Sequence, residues 1–71
     1  MEDITVKAKI DIAEHELQLW KNTAYQFELR ARIAKRAENK DMQDNATLEL
    51  EKATKLIIEI EKELTELKKE V

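Results

Sequence analysis

The stretch ARIAKRAENKDMQDNATLEL, Ala31 to Leu50, decides the fold, because an apolar rhythm ends inside it and another begins. Upstream, Val6, Ile10, Ala13, Leu17, Trp20, Ala24, Phe27, Ala31 and Ala34 alternate spacings of four and three. Downstream, Ala46, Leu50, Ala53, Ile57, Ile60, Leu64, Leu67 and Val71 do the same. Each row is a heptad seam, the mark of a helix that packs one apolar stripe against a partner. Extending the first seam reaches Glu38, Asp41, Asn45, Leu48 and Lys52 instead of joining the second at Ala46. A continuous helix would lose its stripe at the join, so the chain is expected to reverse there.

The reading is all-α: an antiparallel helical hairpin of two long helices, about 3–38 and about 44–71, joined by a turn at about 39–44. Asp41, Asp44 and Asn45 are suitable N-cap residues for the second helix, since their side-chain oxygens can accept its first amide hydrogens. No glycine is available for a left-handed C-cap, and Asn39 is expected to take that role.

Centring the turn on Met42 pairs Ala34 with Leu50, Ala31 with Ala53, Phe27 with Ile57, Ala24 with Ile60, Trp20 with Leu64, Leu17 with Leu67 and Ala13 with Val71. Slips of seven residues would also keep seam on seam, so flanking charges are needed to choose. This pairing brings Glu14 near Lys68 and Lys21 near Glu61, whereas either slip sets like charges together. Such exposed pairs contribute only about 0 to 1 kcal/mol each, enough to bias a register but not to hold a fold.

The expected helices differ in length, about 54 Å against about 42 Å at ~1.5 Å per residue, so Val6 and Ile10 overhang without a partner in the chain. The first helix also carries Ile12, Leu19, Leu29 and Ile33 on a stripe nearly opposite the seam, and Leu56 and Ile58 widen the apolar face of the second. Apolar residues on opposite faces place a helix between partners. These eight residues are the expected oligomer interface, and a homodimer forming a four-helix bundle, or a related coiled-coil oligomer, is the simplest closed assembly. A tetramer is the next simplest.

Composition agrees with this class. The 71 residues make a single domain, 1–71, whose core is marginal without oligomerisation or another staple, and 41% of them are charged while glycine, proline and cysteine are absent. Disulfides and thiol chemistry are thereby excluded, and the opening MEDITVKAK lacks the apolar core of a secretory signal. A cytoplasmic protein that does not enter membranes is expected.

The chemical motifs are incomplete. HELQL, His15 to Leu19, begins like a zinc-protease helix, but Leu19 stands where the second histidine ligand belongs. Ile12 occupies the position three before His15 where a di-iron bundle needs glutamate. The glutamates of EIEKELTELKKE interleave with lysines at helical spacing, which describes a solvated face. No catalytic residue, cofactor or metal site is assigned. Trp20 and Phe27 lie on the seam and read as core rather than as a stacking platform.

Charge carries the one remaining functional signal. Arg30, Arg32, Lys35 and Arg36 concentrate positive charge near the expected turn of a chain whose net charge is −3. The sequence thus supports a non-enzymatic structural or interaction protein that binds its own copies, and possible helix-binding to another protein through residues 1–12. The alternative is a small nucleic-acid-binding bundle using the basic segment 30–40.

Overall fold

A computed structural model describes residues 4–71. Two α-helices pack side by side as a hairpin, α1 (Val6–Arg36, 31 residues) and α2 (Lys40–Lys68, 29 residues), in a particle measuring 53 × 17 × 17 Å. The expected start of the first helix at residue 3 lies outside the described residues. Ile4 and Thr5 precede α1, and Thr5 caps it by accepting a hydrogen bond from the Ala8 amide at 3.1 Å.

The turn is shorter and earlier than the sequence reading placed it. It spans 37–39, while residues 40–44 already belong to α2. The Asn39 amide donates to the Ala34 carbonyl at 2.9 Å, and the Glu38 amide to the Lys35 carbonyl at 3.1 Å. Together these form a Schellman motif, which satisfies carbonyls that the helix end would leave open. Its left-handed position is filled by Glu38, at φ 57°, and not by Asn39. Asn39 is the N-cap of α2, its side chain accepting from the Met42 amide at 3.1 Å, so Asp41, Asp44 and Asn45 do not cap the helix. Residues 40–43, expected in the turn, carry no seam signal because the first turn of α2 is exposed on every side except at Gln43.

The shorter turn changes the register. With Met42 as fold point, Lys40 would stand about 9 Å beyond Glu38 along the axis. Two residues span at most about 7 Å. The fold point is therefore Glu38 with Asn39, and the pairs move by one heptad: Phe27 faces Leu50, Ala24 faces Ala53, Trp20 faces Ile57, Ala13 faces Leu64 and Ile10 faces Leu67. Neighbours along the interface agree, since Phe27 shares a groove with Ala46 and Glu49, and Ala13 shares one with Ile60 and Leu67. Val71, the expected partner of Ala13, is 80% exposed.

Lys68 and Glu14 still meet, at 3.8 Å. Side chains on a helix lean toward its N-terminus, so in an antiparallel pair these two lean toward each other across the shifted register. The contact that selected the wrong register from sequence is thus available in the right one.

The helices now match in length, which corrects the expected overhang. Val6 and Ile10 are half-buried residues of the hairpin's own seam. The other expected core residues follow suit: Leu17, Trp20, Ala24, Phe27, Ala31, Leu50, Ile57 and Ile60 are half-buried, while Ala34, Ala53, Leu64 and Leu67 are buried, together with Ala46. Three of the five buried residues are alanines, whose small side chains let the backbones approach closely. The larger seam residues, covered by one partner helix only, keep an open flank.

Candidate functional site

The two flanks of the seam differ. One is bordered by the rows Lys7, Glu14, Lys21, Glu28 and Lys40, Thr47, Thr54, Glu61, Lys68, and the Glu14–Lys68 ion pair crosses it. On this side Thr47 and Thr54 turn their hydroxyls back to the carbonyls of Gln43 and Leu50, both at 2.9 Å.

This first flank holds a depression of about 390 Å³, over Leu50 between Thr47 and Thr54; the opposite flank is the more concave. Near the turn a groove lies between Phe27 and Arg30 of α1 and Met42, Ala46 and Glu49 of α2, with a cavity volume of about 520 Å³. Toward the open end a second groove of about 470 Å³ is lined by Ile12, Ala13 and Glu16 with Ile60, Glu63 and Leu67. A third depression joins Leu29, Arg30, Ile33 and Met42. All three recur on one side because their residues fall on rows repeating every seven positions: Ile12, Leu19, Gln26 and Ile33 on α1, and Met42, Glu49, Leu56 and Glu63 on α2.

The large apolar residues of this face remain open to solvent. Ile12 is 59% exposed, Leu19 47%, Ile33 48% and Leu56 42%, and Leu29 is exposed beside them. The hairpin leaves uncovered these members of the expected interface. Ile58 is exposed too, but it lies on the row of Asp44, Glu51 and Thr65, away from the grooves. Sequence reasoning misses Met42, which it places at the centre of the turn and which instead lines two of the grooves. Leu48, also unassigned, is exposed on the outer side of α2.

The basic segment is divided. Arg30 lies over the Phe27 ring, 5.4 Å from its centroid, and borders the grooves. Arg32 pairs with Glu28 at 3.5 Å and Lys40 with Asp44 at 3.3 Å, both at the one-turn spacing of helix ion pairs. Lys35 and Arg36 occupy the last turn of α1, where positive charge complements the helix dipole.

Among the described residues no group of three metal-ligating side chains forms, and His15 is exposed. The Trp20 indole donates to Glu16 at 3.1 Å, which satisfies the one polar atom of the largest seam residue. No helix among the described residues is long and apolar enough to cross a membrane. Comparison with protein-family models, with curated proteins and with solved structures finds no match to this chain.

Proposed function

We propose that this is a non-enzymatic interaction protein that associates with its own copies, burying the grooved face and completing a four-helix bundle or a similar coiled-coil oligomer. The observation that carries the reading is the incomplete core: seam residues as large as Trp20, Phe27 and Ile60 are only half-buried, and Ile12, Leu19, Ile33 and Leu56 stand exposed beside the open flank. Apolar surface favours burial by about 25 cal/mol per Å², and contiguous exposed patches of this kind mark interaction sites. One side of the particle, 53 by 17 Å in extent, has a projected footprint on the order of 900 Å², room for the ~800 Å² per partner of a standard stable interface. A homodimer is the first expectation, a tetramer the second, and a helix from another protein would use the same surface.

The double variant Leu19→Lys with Ile33→Lys tests this reading. Both residues point away from the hairpin seam, so helix content measured by circular dichroism should be retained. The mass from light scattering should fall from a multiple of the 8.4 kDa chain to that of a single chain. An unchanged mass would remove the outer stripe as an interface.

The second reading is nucleic-acid binding at the turn end, favoured by Arg32, Lys35, Arg36 and Lys40 standing exposed at the end of α1 and the start of α2. It predicts affinity for RNA or DNA that falls steeply with salt, because phosphate neutralisation releases counterions, and that is abolished by Arg32→Gln with Arg36→Gln. Salt-independent or absent binding of a labelled duplex and a labelled single strand excludes it.

A further inference from the structure

The hairpin is electrically polar along its length. Folding at Glu38 gathers residues 21–55 into the half nearer the turn, with a net charge of +2, and leaves −3 on the other described residues; Glu2 and Asp3, outside the described residues, complete the −3 of the chain. The grooved face shares this polarity. Its open end carries Glu16 and Glu63 beside Lys9, whereas at the turn end Glu49 is already paired with Lys52 at 3.4 Å and Arg30 stands at the groove.

From this we infer that two copies of the hairpin pack on the grooved face in antiparallel orientation, the turn of each against the open end of the other. The inference rests on the self-association reading and specifies its geometry. In a parallel pair the Glu16 and Glu63 carboxylates of both copies would crowd one end, and the two Arg30 side chains the other. Like charges juxtaposed in an interface oppose association, so complementary ends select the alignment. A two-fold axis at the level of Asn22 and Thr23 brings Arg30 of one copy to the level of Glu63 of the second, and does so twice.

The apolar stripe obeys the same symmetry. Ile12, Leu19, Gln26 and Ile33 are evenly spaced by seven, so reversal about their midpoint sets Ile12 of one copy against Ile33 of the second. Closed dimers require such a self-complementary patch. Gln26 opposite Leu19 is the one mixed pair, and it falls near the axis.

The chain has no cysteine, so a single label can be introduced. Lys40→Cys places a spin label close to the turn, at a side chain 84% exposed on the flank away from the groove. Pulsed electron-spin distance measurement, with the mass of the same sample, separates the outcomes. At 1.5 Å rise per residue the antiparallel dimer holds the two labels about 45 Å apart, and the parallel dimer about 20 Å apart. Dimer mass with the long distance is the expected result. Dimer mass with the short distance overturns the orientation while leaving self-association intact, and a single-chain mass overturns both.

Discussion

Leu64→Ala should cost about 2 to 5 kcal/mol of stability, the range for removing most of a buried leucine side chain. Leu64 is 6% exposed and faces Ala13 across the seam, so the small residue opposite cannot move in to fill the space. Most of the hairpin's neighbouring seam positions are alanines or half-open residues, which leaves Leu64 and Leu67 as the two large buried side chains among the described residues. A core of this size supplies no more than about 3 to 5 kcal/mol, so the variant should be largely unfolded at room temperature. Loss of the far-ultraviolet helix signal, and a lower urea midpoint where folding persists, would show it. Leu48→Ala is the control: Leu48 is half exposed and lies away from both seam and grooves, and its replacement should change stability by less than about 0.5 kcal/mol. Equal effects at the two sites would contradict the seam assigned to α2.

Glu38 should respond in opposite directions to two substitutions. Its φ of 57° places a Cβ in the left-handed region, at a cost of about 1 to 2 kcal/mol for a non-glycine residue. Glu38→Gly removes that cost and is expected to stabilise the hairpin by about 1 kcal/mol, reduced somewhat by the greater freedom of glycine in the unfolded chain. Glu38→Pro fixes φ near −65°, deletes the amide that donates to the Lys35 carbonyl and should cost about 3 kcal/mol or more. Thermal melts of the three proteins at equal concentration should rank Gly above Glu above Pro. A tie between glycine and glutamate would mean that the turn does not require the left-handed conformation at 38, and the register drawn from it would fall as well.

The ion pairs invite no comparable prediction. Glu28–Arg32, Lys40–Asp44, Glu49–Lys52, Glu59–Lys62 and Glu66–Lys69 are all local and solvent-exposed, so each contributes a few tenths of a kcal/mol at most. Their role is to keep two long helices soluble and in helical conformation while the seam and the grooved face supply the apolar surface.

Helix type, helix number and the seam residues were legible in the sequence because spacing carries them: a four–three alternation admits one periodic structure, and the phase break between Ala34 and Ala46, with N-cap residues beside it, favours a reversal over a stutter in one long coiled coil. The outer stripe was legible for the same reason. What spacing could not supply was the level at which the helices face each other, since every shift of seven preserves the seam. That level was decided by three residues of backbone. Glu38 accepts a left-handed conformation that propensity assigns to glycine or asparagine, Asn39 caps α2 one residue later, and the compact turn leaves no chain to reach the longer register. Val6 and Ile10 thereby changed from an overhang into core, and Met42 from turn to groove. Which flank of the seam stays open was likewise a tertiary outcome, because it depends on where the rows of two separate helices come to lie once the turn has set them side by side.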